Sequence, residues 1–165
     1  MKKFFDTYQA PLGLIHVIMD ENGITGVELT QEGWQQRLAE SDELVRDEIH
    51  CREAISQLDE YFNGQRQQFT VSLSISGPAF SQKVWQELRA IPYGETRSYA
   101  EIARAIGKPK SYRAVGQANR RNPLPIFIPC HRVIGKDGGM TGYIGKQYIG
   151  MKEELLALEK SYKGR

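Results

Sequence analysis

Cys130 and His131 stand side by side at the end of a stiff segment, Asn122-Pro123-Leu124-Pro125-Ile126-Phe127-Ile128-Pro129-Cys130-His131-Arg132-Val133-Ile134-Gly135. A thiolate is a soft nucleophile. A free cysteine is only a few per cent ionised at neutral pH, so its use requires a base and positive neighbours. The ordinary role of such a residue is that of a small buried hydrophobe. Three local facts weigh against that role: the Pro-rich backbone, the flanking histidine and the position in a basic half of the chain. In an extended segment successive side chains point to opposite faces, so Cys130 and His131 need a turn or a bridging water to cooperate. A Cys–His hydrolase is the competing chemistry, but the signatures of known cysteine proteases are absent around Cys130.

Metal chemistry is not expected. His16, His50 and His131 are the only histidines, and no CxxC or HxxxH pair exists. Cys51 and Cys130 make no disulfide framework and fit a reducing compartment, where both stay thiols.

The elements that must position Cys130 are readable around it. Phe80, Val84, Trp85, Leu88 and Ile91 form one helical stripe, ended by Pro92-Tyr93-Gly94. Ser98-Tyr99-Ala100-Glu101 is a capping-box pattern that opens a short helix through Ile106. Gly107-Lys108-Pro109-Lys110 breaks it, and Ser111 is placed to cap a second helix to about Arg120. Two short helices around a Gly-containing turn read as a helix-turn-helix, and the second is basic. Three prolines in the next segment exclude helix and central strand there. A last amphipathic helix, about Met151–Tyr162, carries Leu155, Leu156 and Leu158.

Upstream, Phe4–Tyr8, Leu14–Met19 and Ile24–Leu29 read as strands, with Asn22-Gly23 suited to a hairpin. Leu44, Val45, Ile49, Ala54, Ile55, Leu58 and Phe62 recur at helical spacing, and Asn63-Gly64 stops that helix. Phe69–Ile75 alternates as a half-buried strand should. Ser76-Gly77-Pro78 marks a boundary, giving expected domains 1–77 and 78–165. The expected class is α/β (α+β): an N-terminal unit with a short antiparallel sheet and one long helix, then a helix-turn-helix domain.

Charge divides along the same line. Residues 1–77 hold 6 Lys+Arg against 13 Asp+Glu, a net of −7, whereas residues 78–165 hold 16 against 7, a net of +9. Lys108, Lys110, Arg113, Arg120, Arg121, Arg132 and Lys136 fall within thirty residues, which fits the footprint of a nucleic-acid surface. The chain of 165 residues is 40% hydrophobic and 25% charged, which excludes wholesale disorder and allows a buried core. No run is long enough to span a bilayer, and Met1–Asp6 has no secretory pattern. A soluble cytoplasmic protein, without a membrane partner, is expected.

Ile128-Pro129-Cys130-His131-Arg132-Val133 resembles the active-site signature of the 6-O-alkylguanine-DNA alkyltransferases, the methylated-DNA–protein-cysteine methyltransferases. Ile91-Pro92-Tyr93-Gly94, Ser98-Tyr99, Arg113-Ala114-Val115-Gly116, Asn122-Pro123, Gly142-Tyr143 and Lys152-Glu153…Leu155-Leu156…Glu159 occur in the family's order, so the resemblance covers essentially the whole chain. It implies a ribonuclease-H-like first domain and a second domain of winged helix-turn-helix type. It also implies repair of 6-O-alkylguanine, and of 4-O-alkylthymine, in double-stranded DNA. The alkyl group would pass irreversibly to Cys130 of a monomeric protein consumed in one turnover, with no cofactor and no metal.

The same resemblance implies site roles. His131 would act through a water as base, with Glu159 orienting it, and Asn122 would brace the active-site turn. Tyr99 would donate a proton toward the departing guanine. The base, flipped out of the duplex, would lie in a pocket of Tyr99, Pro125, Tyr143 and Ile144. Ile144 stands where relatives usually carry a small residue, which leaves only backbone N–H for the guanine oxygen. Arg113 would fill the gap in the stack, and the small residues Ala114, Gly116 and Ala118 would let the second helix approach the minor groove. Lys108, Arg120 and Lys136 would contact phosphates. The alternative is a helix-turn-helix protein that binds or senses alkylated DNA without repairing it. Relatives of that kind replace the cysteine, so the presence of Cys130 weighs against it.

Overall fold

The computed structural model describes residues 2–41, 43–135 and 149–164, so Lys136, Tyr143 and Ile144 lie outside the described residues. The chain divides into two compact units, Met1–Ser76 and Gly77–Arg165.

The first unit is a four-stranded sheet with two helices. β1 (Lys3–Ala10) and β2 (Gly13–Met19) form an antiparallel hairpin, and β3 (Ile24–Glu28) pairs antiparallel with β2. The Asn22-Gly23 turn is held by the Asp20 carboxylate, which accepts from both backbone N–H groups at 2.7 and 3.0 Å. Gly23 is required there, since its φ is +151° and a Cβ would lie 2.5 Å from the Ser72 carbonyl oxygen.

The expected long helix splits. Leu44–Arg46 forms β4, which pairs parallel with β1 at the sheet edge, and α2 begins only at Arg52. Val45 and Ile49 are exposed at 43% and 76%, so their helical spacing marks no buried face. Pairing with β1 satisfies the β4 backbone instead. The sheet is therefore mixed rather than purely antiparallel.

A helix that the spacing does not predict, α1 (Gln31–Glu40), intervenes between β3 and β4. Thr30 caps it by accepting from the Gly33 N–H, and Trp34 anchors it by stacking on His16 at 4.2 Å. Phe69–Ile75 forms no extended strand. Only Leu73 bridges to Ile24, flanked by the bonds Ile24 N–H to Ser72 and Ser74 N–H to Ile24.

The second unit follows its local signals closely. α3 (Ala79–Arg89) buries Val84, Trp85 and Leu88. β5 (Arg97–Ser98) leads into α4 (Tyr99–Ala105), whose capping box is complete: Ser98 accepts from the Glu101 N–H while the Glu101 side chain accepts from the Ser98 N–H. Such a cap is worth about 1 kcal/mol to so short a helix. Gly107, at φ +77°, turns the chain toward α5 (Tyr112–Arg120). Ser111 stands at the start of α5, but its side chain makes no capping bond. α4 and α5 are the two helices of the helix-turn-helix.

A 3-10 turn, Cys130–Arg132, then leads into β6 (Val133–Ile134), which pairs parallel with β5. α6 (Ile149–Tyr162) closes the unit. Its buried residues are Lys152, Leu155 and Glu159, not the leucine stripe alone. Two charged side chains on the buried face of a helix require partners.

Candidate active site

The second unit carries Cys130 and the described residues that converge on it. The segment before it turns on Ile126, a β-branched residue held at φ +78° and 1% exposed. Such a conformation is costly and persists only where the surroundings enforce it. Asn122 enforces it from within: its Oδ1 accepts from the Leu124 N–H at 3.0 Å and its Nδ2 donates to the Ile128 carbonyl at 2.8 Å. Pro125 is buried and bridges to Ile128.

Pro129, at φ −78° and ψ +66°, then makes an inverse γ-turn, in which the Cys130 N–H donates to the Ile128 carbonyl at 2.7 Å. Cys130 and His131 therefore share a 3-10 turn rather than an extended strand. Successive side chains there are separated by about 120° instead of 180°, which supplies the turn that the sequence required.

His131 and Glu159 form a buried pair. Both are 0% exposed, and the His131 Nε2–H donates to Glu159 Oε2 at 2.6 Å. The carboxylate also accepts from Arg132 Nε at 2.8 Å, from Arg132 Nη2 at 3.0 Å and from the Gly94 N–H at 3.2 Å. These bonds occupy its lone pairs and fix its plane. Arg132 is fixed in turn by its bond to the Ile91 carbonyl at 2.8 Å.

Burial pushes the Glu159 carboxyl upward, but His131 and the Arg132 guanidinium outweigh it and hold the group well below the usual carboxylate range. Burial also pushes His131 below the ordinary imidazole value, against the opposing pull of Glu159. A neutral imidazole that donates through Nε2 keeps Nδ1 as an acceptor, and that atom has no hydrogen-bond partner among the described residues.

Cys130 is 2% exposed, and burial pushes its thiol up to about 11, against hydrogen bonding from Asn122 and the charge of Lys152. At neutral pH it is a thiol that must lose its proton during reaction, not a standing thiolate. Lys152 is fully buried, donates through Nζ to the Val133 carbonyl, and is pushed down to about 8 by burial, with Cys130 pulling it back up. Tyr99, the first residue of α4, is raised to about 12, mostly by burial and next by Cys130, while Arg120 lowers it. It keeps its O–H across the physiological range.

The helix-turn-helix carries the remaining expected residues. Lys108, Arg113, Ala114 and Arg120 are exposed, and Gly116 is half-buried. Gly116 brings the α5 backbone alongside the Tyr99 ring, since a Cβ there would lie 3.8 Å from Cδ1. Ala118 departs from its expected place. It is 3% exposed, and its carbonyl accepts the Trp85 indole N–H at 2.9 Å, so it packs inward.

Three residues near Cys130 escape the reading from sequence. Arg132 enters the sequence reading as part of the basic cluster and as a letter of the Cys130 signature, with no role at the site. Lys152 was only a motif letter, although its spacing from Leu155 and Glu159 already puts two charges on an apolar stripe. Asn119 donates through Nδ2 to the Cys130 carbonyl at 3.3 Å, and nothing in the local pattern signals it. Among the described residues no group of three His, Cys, Asp or Glu is placed to hold a metal ion.

Fold and site together define a helix-turn-helix protein in which a buried cysteine is followed by a histidine clamped to a carboxylate. Residues 79–161 match the DNA-binding domain of 6-O-methylguanine DNA methyltransferase, and residues 3–75 match the ribonuclease-like domain of the same enzyme. A constitutive methylated-DNA–protein-cysteine methyltransferase of Bacillus subtilis is 49% identical over 97% of this chain and 98% of its own. A methylated-DNA–protein-cysteine methyltransferase of Methanosarcina acetivorans is 44% identical over 96% and 99%.

Among solved structures, the O6-methylguanine methyltransferase of Mycobacterium tuberculosis superposes with a TM-score of 0.85 at 40% identity, over 97% of this chain and 94% of the other. OGT of the same organism in complex with DNA gives 0.86 at 40% identity, over 96% and 94%. The chain belongs to the 6-O-methylguanine DNA methyltransferase family.

Proposed function

We propose that this protein repairs alkylated DNA by moving the alkyl group from the 6-oxygen of guanine to Cys130. The observation that carries the reading is the His131–Glu159 pair at 2.6 Å beside the buried cysteine. Glu159 fixes the imidazole so that Nδ1 accepts, through a water, the proton leaving the Cys130 thiol. The sulfur then attacks the alkyl carbon in line, forming a C–S bond as the bond from carbon to the guanine oxygen breaks. Tyr99 donates to the departing guanine, which takes up a proton as its negative charge develops. The thioether is stable, so each molecule acts once. No cofactor or metal is required by that sequence of steps, because the thiol itself is the acceptor.

Residues 78–165 carry both DNA binding and transfer in this reading. The lesion must leave the duplex to reach Cys130, and α5 presents Arg113 to take its place, with Lys108, Arg120 and Lys136 on phosphates. Tyr99 and Pro125 belong to the base pocket in this reading, and the expectation for Tyr143 and Ile144 falls outside the described residues. The protein acts as a monomer in the cytoplasm, on guanine and, by the same displacement, on 4-O-alkylthymine.

The test uses a duplex carrying one 6-O-methylguanine, followed by the mass of the peptide containing Cys130. A gain of one methylene there, with one protein consumed per lesion, is the expected result. An unmodified Cys130 despite tight binding to the lesion would establish the non-repairing sensor instead.

A further inference from the structure

Among the described residues of the second unit, Tyr112 is the one large apolar side chain left exposed, at 48%; its four counterparts, Leu14, Leu38, Val45 and Ile49, all lie in the first unit. A single exposed ring on an ordinary surface needs no explanation. This one is the first residue of α5, immediately before Arg113, and exposed Lys108, Lys110, Arg113, Arg120 and Arg121 surround it in the chain. A ring set among cations suits nucleic acid: the charges follow the backbone, and the ring takes the face of any base.

Helix geometry separates Tyr112 from its neighbour. Adjacent residues project about 100° apart, so Tyr112 and Arg113 do not fill the same gap. Tyr112 shares its face of α5 with Gly116, one turn on. Gly116 adjoins the Tyr99 ring, where a Cβ would lie 3.8 Å from Cδ1. Helical side chains lean toward the N-terminus, so the ring extends past the first turn of α5 on the side of Tyr99. A nucleotide that leaves the stack uncovers a face on each base that flanked it. Arg113 answers for the vacated position, and an uncovered flanking face remains.

We propose that Tyr112 is a positioning residue for extrusion, whose ring stacks on a base flanking the lesion while Arg113 occupies the gap. The inference rests on the repair reading above and adds a second protein group to the extruded state. It makes the rate of repair depend on the neighbour of the lesion, because stacking strength differs between bases.

The test is single-turnover transfer to Cys130 from three duplexes carrying one 6-O-methylguanine. One is intact, and the other two each lack one flanking base but keep its sugar and phosphate. Tyr112→Ala should slow transfer from the intact duplex about tenfold, within the worth of one stacked base. It should cause no slowing in one of the two duplexes that lack a neighbour, since nothing is left there to stack on. Tyr112→Phe keeps the ring and should match the unaltered protein on all three. Alanine is a good helix former, and equal melting temperatures confirm that the variants fold. Equal slowing by Tyr112→Ala on all three duplexes makes Tyr112 a backbone contact and overturns the proposal. So does an unchanged rate in Tyr112→Ala, or a Tyr112→Phe protein as slow as the alanine variant. Cys130 left unmodified by the unaltered protein on every duplex overturns the repair reading and this inference with it.

Discussion

His131 and Glu159 are 28 residues apart in the chain and 2.6 Å apart in space, and the same carboxylate carries two bonds from Arg132. The arrangement fixes the tautomer of the imidazole through a third group. It also places one permanent positive charge against one buried negative charge, so its members are not interchangeable parts of the core.

Replacing Glu159 by Gln tests that coupling. The amide cannot neutralise Arg132, which is left as a buried charge, a change that costs about 3–5 kcal/mol. Chemical denaturation should register that loss. The folded fraction should transfer alkyl groups at least about a hundredfold more slowly, as expected when a general base loses its orienting group. Normal rates in a destabilised Glu159→Gln protein would contradict the role of Glu159 toward His131.

The pH dependence follows from directions of shift. His131 is held below its ordinary value of 6.5, so below that pH the unfolded chain binds more protons than the folded one and stability falls. Glu159 acts in the same sense at lower pH. Its folded carboxyl lies below the ordinary 4.5, so the stability it contributes is present above that value and is lost as pH falls further. The rate should share the first limb, being level from pH 7 to about 6.5 and declining only below. An acid limb centred above pH 7 would show that His131 is not held neutral by its burial.

Lys152→Met separates charge from packing at the thiol. Its ammonium opposes the burial that raises Cys130 to about 11, so methionine should push the thiol higher still and slow transfer by about tenfold. The check is the pH dependence of Cys130 alkylation by a small reagent, which should shift upward. Cys51 serves as internal control, since it is fully buried and raised to about 12.

Gly116→Ala sets stability against function. An added Cβ would make ordinary contact with Tyr99 at 3.8 Å, and alanine favours a helix interior over glycine by about 0.5–1 kcal/mol. The melting temperature should therefore rise slightly, while affinity for duplex DNA should fall under the proposed binding mode, in which α5 lies close to the minor groove. Unchanged DNA affinity would remove Gly116 from the interface.

Arg113→Ala should slow repair more than it weakens binding. An exposed arginine at the start of α5 can fill the stack after a base leaves it, whereas the remaining lysines and arginines still hold the phosphates. Fluorescence of a base analogue beside the lesion measures the extrusion directly. Equal repair rates would refute the role.

What the sequence by itself determined lies within one turn of the signal that determined it. The Ser98–Glu101 capping box, Gly107, the proline run and the Cys130-His131 step set α4, α5 and the reacting segment correctly, because caps, φ preferences and missing N–H groups act locally. Leu44–Ile49 departs for the complementary reason: helical spacing is a statement about burial, whereas Leu44–Arg46 pairs at the sheet edge and Ile49 lies exposed in the turn that follows. The spacing does not show α1 either, since its anchor is the stacking of Trp34 on His16, a contact between separate elements of the first unit. Only the tertiary structure decided that Glu159 and Lys152 point inward, that Arg132 shares the carboxylate of Glu159, and that Asn119 reaches the backbone of Cys130. A buried charge or amide is stable only where partners from distant segments meet it, and no local pattern records where they meet.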